Sequence, residues 1–458
     1  MTCYANRSFW IDECGTYSAN PSLNRDISID VAIIGGGLTG LSSAYHVRQA
    51  DAATSVAVLE SEMIGFGASG RNGGWVIPQF GIDPFIVRAV YGKEKAQQAV
   101  DYCDESFEYV QKLISENQMD CDFRKTGLLK LGIGKKSVGL LEKFMKQSEE
   151  IGHGKHITWL DQVAVEQQLD CNMVDAGLYE HNIAVMQPCK LVREWKRLAT
   201  GVGADIYENT PAVRMDRDGD KVVIKTPRGT ITADRIVLAT NGYSHLLGGG
   251  IGKEVKRDQM PMIPVMHVTE KLTPDQWQRA VSRSWQCPLH TAFGLYHGYT
   301  PTADGRLVMW YFKDIQTSAN KEIRPYEYDV ENREEAIKYL RAILPGLEGV
   351  RIQQTWGGPL SVTMDLVPHL GFVGNDDRVI LSSGCAGHGV SMGMLNGRTI
   401  AELLLDQDTD NSRLWFVTRK KRSWPPAGLA PLGVRAFVGA MRLEHRIDIK
   451  KSALSEIK

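Results

Sequence analysis

Gly35, Gly37 and Gly40 stand in G-x-G-x-x-G register directly after an apolar run, Val31 to Ile34, which reads as a buried strand. Glycines so spaced serve phosphate chemistry. Gly35 permits a tight strand-to-helix turn, Gly37 lets the backbone approach a pyrophosphate, and Gly40 lets the helix lie close on the strand. Leu38 and Thr39 open that helix, where N–H groups and a partial positive charge meet the phosphates. A second strand, Val56 to Leu59, ends in Glu60, twenty residues past Gly40. Its carboxylate is placed to accept from the hydroxyls of an adenosine ribose and would repel a 2′-phosphate, which argues against NADP. With strand, helix, second strand and terminal acid in order, the stretch predicts a dinucleotide site rather than a chance glycine loop.

A second glycine cluster follows at once. Five glycines, Ser69, Arg71 and Asn72 fall within 65–75, the sequence GFGASGRNGGW. Such a stretch is either a mobile surface loop or a second cofactor clamp. The clamp reading is preferred because the loop directly follows the ribose acid and is flanked by Ile64, Phe66, Trp75 and Val76, which would pin it. Its expected contacts are Ser61, Gly67, Ala68, Ser69, Arg71, Asn72, Gly73 and Gly74.

A third cluster, SGCAGHGVSMG at 383–393, joins a strand over 379–382 to a helix over 390–405. Gly387 and Gly389 would let backbone N–H groups come within hydrogen-bonding range of a ligand, with Val390 opening the helix. His388 between them is equally a donor to that ligand or a structural histidine. Cys385 is read as a packing residue, since no resolving cysteine lies near it in sequence.

These loops carry a resemblance. IGFGASGRNGG at 64–74, MDCDFRKTGL at 119–128 and AGHGVSMGMLNGRTIAELL at 386–404 resemble the D-amino-acid oxidase / glycine oxidase superfamily of FAD enzymes, in its γ-glutamylputrescine oxidase-like branch, collinearly from Asp30 to Leu405. The resemblance implies an α/β FAD-binding domain of glutathione-reductase-like Rossmann type and an α+β substrate domain on an antiparallel sheet. It implies boundaries near 29–92, 188–254 and 366–405 for the FAD domain and 93–187 and 255–365 for the substrate domain. A polar arm at 1–28 would wrap the surface, and a tail at 406–458 would end in a docked helix or, less simply, a membrane-surface helix, with Val434, Phe437, Val438 and Met441 as its apolar stripe.

In the resembled enzymes a returning strand, here 236–243, sets Ala239 and Thr240 beside the dinucleotide, and a backbone segment at Val213 meets adenine. The residues alone read Val213 as a plain core valine. The resemblance also places substrate between sheet and flavin. Aromatics concentrate there, with Trp277, Trp285, Phe293, Tyr296, Trp310, Tyr311 and Phe312 expected mostly in the core. Trp75, Tyr299 and Trp356 are the expected pocket residues, Tyr299 and Trp356 because turn or glycine signals flank them. No cysteine stands near the hairpin Thr302–Arg306, and no histidine tether is evident after the first glycine loop, so FAD is expected to be non-covalent.

The remaining elements read as scaffold. Ala96, Val100, Cys103, Phe107, Val110 and Ile114 form a helical stripe, and further helices are predicted over 136–151, from Asp161, over 188–200 and over 331–344. The chain has 458 residues, a net charge of −1 and 43% hydrophobic content, which gives no reason to expect a nucleic-acid partner. No apolar run reaches the roughly twenty residues of a membrane span. The eight cysteines are dispersed without zinc spacing, so they read as reduced thiols in a cytoplasmic protein with no metal.

The resemblance implies FAD-dependent oxidation of a small amine or amino acid, with hydride passing from the amine α-carbon to flavin N5 and O2 reoxidising the flavin to give H2O2. Tyr299 and His388 would orient substrate or tune the flavin. The rivals are a dehydrogenase passing electrons to another acceptor, a flavin-binding protein without turnover, and, disfavoured by the later glycine loops, an NAD enzyme. Oligomeric state is not legible.

Overall fold

The computed structural model describes residues 7–171, 173–280, 286–292, 297–317, 333–374 and 376–426, with single positions between 436 and 447. Trp285, Phe293, Tyr296, the side chains of Tyr311 and Phe312, and the tail stripe lie outside the described residues.

Two large sheets organise the chain. The first has five parallel strands in the order Asp205–Tyr207, Val56–Leu59, Ile27–Ile34, Thr230–Leu238 and Asp376–Ser383, extended by antiparallel strands at both Arg214–Lys225 and His369–Val373. Its strands read as apolar runs because helices cover them: Val56–Leu59 is buried throughout. The register matters most. Ile34 pairs with both Leu59 and Leu238, Leu238 with Leu381, and Leu59 with Tyr207. One row therefore crosses the sheet, and Gly35, Glu60, Ala239 and Ser382 all leave it at the same carboxyl edge, where open α/β sheets hold their ligands.

The helix Leu38–Ala50 packs against the closing helix Gly389–Leu404. Small residues make the approach close. A Cβ on Gly397 would sit 2.4 Å from the Cβ of Ser42, and one on Gly393 would sit 2.9 Å from Thr39 Oγ1. Ser42 Oγ donates to the Met394 carbonyl at 2.6 Å. The helix Lys93–Glu116 buries the predicted stripe, including Cys103.

The second sheet has nine strands, running Ile352–Gly357, Met260–Thr269, Leu307–Thr317, His297–Pro301, Leu289–Thr291, Leu128–Gly132, Ala176–Glu180 and Ile157–Asp161, with Leu360–Val362 beside Met260–Thr269. It is not wholly antiparallel: Leu289–Thr291 pairs parallel with Leu128–Gly132. One face carries Leu129, Leu131, Tyr299, Met309, Leu340 and Ile343 in a separate core, and the other carries Met266, Val268, Val308, Trp310 and Trp356 against the glycine loops.

The amino-terminal arm corrects the sequence reading. It does not merely wrap the surface, because Phe9 and Trp10 are buried among Phe66, Trp75 and Trp356. Trp10 Nε1 donates to the Asn72 carbonyl at 2.7 Å, and Ser8 Oγ to that of Gly70 at 2.9 Å. In the tail, Phe416 is fully buried beside Phe80 and Tyr102, while Leu443 and Ile447 are exposed.

Candidate FAD site

Gly35 adopts φ +111°, and a Cβ there would lie 2.6 Å from the Ala239 carbonyl oxygen, so only glycine permits this turn beside the returning strand. A Cβ on Gly40 would meet the Gly35 carbonyl at 2.0 Å. Glu60 is buried at the end of its strand, accepting from Gly36 N–H at 2.8 Å and Glu62 N–H at 3.0 Å. Burial pushes its carboxyl up to about 7, against the pull of those donors.

The second loop locks onto the first. Ser69 Oγ accepts from Leu38 N–H at 3.0 Å, and Gly65 N–H donates to the Gly36 carbonyl at 3.1 Å. Asn72 staples the loop internally: its Nδ2 donates to the Ala68 and Ser69 carbonyls at 3.2 and 3.1 Å, and its Oδ1 accepts from Gly74 N–H at 2.9 Å. Arg71 is wholly buried; its Nε donates to the Phe66 carbonyl at 2.6 Å and its Nη1 to Gly357 at 3.2 Å. The Arg71 and Asn72 side chains are therefore braces of the loop and not arms reaching for a ligand. The reason is the loop's lack of any regular hydrogen-bond ladder, which leaves its carbonyls needing side-chain donors.

The third loop arrives from the other side. Gly384 N–H donates to Ser361 Oγ at 2.8 Å and Ala386 N–H to the Ser361 carbonyl at 2.9 Å. Cys385 Sγ contacts Asn241 Oδ1 at 3.5 Å, tying this loop to the turn after Ala239 and Thr240. Ala386 and Asn241 both hold positive φ, at +47° and +42°, a conformation that costs free energy and marks a constrained site. Ser391 Oγ donates to the Ile77 carbonyl at 2.9 Å, joining the closing helix to the exit of the second loop. All three glycine turns thus meet at one edge of the parallel sheet.

His388 caps the closing helix, partly buried, and its Nδ1 has no partner among the described residues. Burial, then the charge of Lys130, holds the imidazole down to about 4, so it is neutral at ordinary pH. Lys130 pairs with Glu180 and lies 3.8 Å over the Phe144 ring.

Three expectations are overturned. Tyr299 is 1% exposed and faces the core of Leu129, Met309 and Leu340, on the side of the sheet away from the glycine loops, and burial pushes its phenol up. Strand alternation puts Gly298 and Thr300 on the loop side instead: Thr300 Oγ1 donates to the Gly73 carbonyl at 2.8 Å and accepts from Trp75 Nε1 at 2.5 Å. Trp356 is fully buried, with Nε1 on the Arg71 carbonyl at 2.9 Å, so it is a buttress and not a pocket wall. Val213 is no core valine: it is 56% exposed, its N–H paired to the Lys225 carbonyl at 2.8 Å.

Sequence reasoning missed Glu208 and Lys130. Glu208, buried, gathers Tyr17 Oη at 2.6 Å, Ile64 N–H at 2.7 Å and Lys196 Nζ at 2.8 Å, so it fixes the approach to the second loop. An acid directly after a short strand, as at Glu60, was its only signal.

The groups present fit a dinucleotide flavin. Neither helix start has a side-chain cap from its own N-cap residue, Gly37 or His388, although Ser69 Oγ takes the Leu38 N–H of the first. A buried acid, Glu60, ends the second strand, and His388 Nδ1, without a hydrogen-bond partner among the described residues, stands at the far loop. Fold and site together define a two-sheet flavoprotein with a Rossmann-like FAD-binding half. The family model of FAD dependent oxidoreductases (DAO) matches residues 30–403, and the chain belongs to that family; it is an FAD-dependent enzyme.

Among its relatives, γ-glutamylputrescine oxidoreductase of Escherichia coli K12 is 30% identical over 397 residues, 87% of this chain and 88% of the relative. Glycine oxidase of Bacillus licheniformis is 23% identical, covering 82% and 93%. Of solved structures, glycine oxidase from Geobacillus kaustophilus superimposes with a TM-score of 0.71 at 19% identity over 87% of this chain and all (100%) of that one. L-proline dehydrogenase from P. horikoshii gives 0.70 at 20% identity over 86% and 97%. Among the described residues no helix is long and apolar enough to cross a membrane.

Proposed function

We propose that this chain oxidises the C–N bond of a small amine or amino acid with non-covalent FAD and O2. The observation that carries the reading is the meeting of the closing helix start, with His388, and the second glycine loop against one face of the large sheet. FAD, when bound, would supply a two-electron acceptor for the hydride of the carbon beside a neutral amine, and O2 would take up the electron pair with two protons as H2O2.

The chain's own part is positioning and electrostatics. Gly35, Gly37, Leu38, Thr39 and Gly40 present the first helix start to the pyrophosphate, and Glu60 accepts from the ribose with Ser61 beside it. Gly67, Ala68, Ser69, Gly73 and Gly74 offer backbone along the nucleotide, with Ala239 and Thr240 at its flank and Val213 at the adenine end. Gly387, Gly389 and Val390 shape the start of the closing helix, whose positive end would stabilise negative charge on the reduced flavin. Neutral His388 adds one polar atom there. Trp75 belongs to the wall between the second loop and the sheet, with ring centroids 4.2 Å from Trp310 and 6.2 Å from His290. No strong base is needed, since the amine enters unprotonated and geometry does the rest.

The names of the relatives support amines and amino acids as substrates, with a polyamine derivative first to test. Purified protein should be yellow, and acid precipitation should release all the colour. A screen of amines, amino acids and N-methyl amino acids should bleach the flavin without air and yield peroxide with it. Bleaching without peroxide would assign a dehydrogenase; no bleaching by any amine would defeat the reading.

A further inference from the structure

Asp104, His153 and His156 form a cluster remote in sequence from every glycine loop. Asp104 lies in the middle of the helix Lys93–Glu116; His153 caps and His156 ends the short 3-10 turn Gly154–His156 that follows the helix Lys135–Glu150. Residues three apart eclipse on a 3-10 turn, so both imidazoles project to one side. The turn is held there by its backbone: His153 N–H donates to the Ser148 carbonyl at 2.9 Å, His156 N–H to that of His153 at 3.1 Å, and His181 N–H to that of His156 at 2.9 Å.

The carboxylate offers one oxygen to each ring: Oδ1 is 3.9 Å from His153 Nδ1, and Oδ2 is 3.7 Å from His156 Nε2. All three ligand atoms lie within 4.8 Å of one another. These separations are too long for hydrogen bonds. Ligand atoms around one ion with bonds of about 2.1 Å stand about 3.4 Å apart in a tetrahedron, so modest side-chain rotations would close this set on a single ion. No hydrogen bond to either imidazole is found among the described residues, and Asp104 Oδ1 is buried without a donor. A buried carboxylate oxygen with nothing to satisfy it is costly, and a cation supplies what is missing.

Each residue keeps partial exposure, which leaves a solvent-facing position for a fourth ligand such as water.

We propose that Asp104, His153 and His156 bind one divalent transition-metal ion, zinc foremost, clipping the long helix to the turn. Two imidazoles and a carboxylate suit zinc and disfavour calcium or magnesium, which take all-oxygen sets. The site lies outside the flavin cradle and does not depend on the assigned reaction.

The test uses chelator-treated holoprotein. Zinc titrated by calorimetry is expected to bind one equivalent and to raise the melting midpoint, and cobalt substitution is expected to give d–d absorption beyond the flavin band. His153→Ala, His156→Ala and Asp104→Asn should each weaken zinc binding at least tenfold and abolish the melting shift. Their flavin content and their melting in chelator, compared with the parent, show whether each variant is folded. The proposal is overturned if 1 mM zinc leaves the melting unchanged, or if folded variants bind zinc as the parent does.

Discussion

Ser69 accepts a hydrogen bond from the backbone N–H of Leu38 at 3.0 Å, so a residue of the second glycine loop caps the helix that the first one starts. The two clamps are one mechanical unit. Ser69→Ala removes that cap, a change worth about 1 kcal/mol. FAD affinity of the refolded apoprotein should fall about fivefold. Flavin fluorescence on titration measures it, and unchanged affinity would separate the loops functionally.

Glu60 gives a pH dependence of fixed sign. Its carboxyl sits near 7 in the folded, cofactor-free state because of burial, above its ordinary 4.5. Between those values the folded state binds the extra proton, so this group's contribution to stability falls as pH rises through that window. On the proposed reading, ribose hydroxyls would donate to the ionised carboxylate and so favour loss of its proton. FAD affinity should therefore climb several-fold from pH 5 to pH 8, and Glu60→Gln should bind weakly with a flatter profile.

Gly397 holds the closing helix against Ser42 with no room for a methyl group. Gly397→Ala should cost about 1–3 kcal/mol as an overpacked contact. Both helix starts would shift apart, so flavin loss should accompany a lower melting midpoint. A melting drop with full flavin retention would confine the damage to packing.

Tyr299 and Thr300 make a matched pair on opposite faces of one strand. Tyr299→Phe should leave turnover within about twofold, because its ring faces a separate core. Thr300→Val orphans Trp75 Nε1 and the Gly73 carbonyl, each at a cost of about 1–3 kcal/mol. Steady-state kinetics on the same amine should show kcat/KM falling only in the second variant.

These residues also show what the sequence could disclose. Strand, helix, second strand and acid at 29–60 were readable because each backbone demand selects a residue type nearby in the chain. The helices Lys93–Glu116, Lys135–Glu150 and Pro188–Gly201 followed from periodicity, whereas Gly249–Val255 and Pro274–Ala280 are too short to show one. Tyr299 was misplaced because its strand sits in a sheet covered on both faces, where alternation does not mark which side meets the cofactor. The bracing bonds of Arg71 and Asn72 were not legible, because a polar side chain in a loop looks the same whether it holds a ligand or the loop itself. Glu208 was invisible, since its partners Tyr17 and Ile64 come together only through the fold.

The closing helix comes from residues 389–404, and it completes a cradle begun at residue 35. A nascent chain on the ribosome therefore carries an opened half-mould until those residues are made, with Thr39 and Ser42 along a face awaiting Gly393 and Gly397. Flavin capture therefore waits until residues 389–404 have been made and folded back onto the first helix.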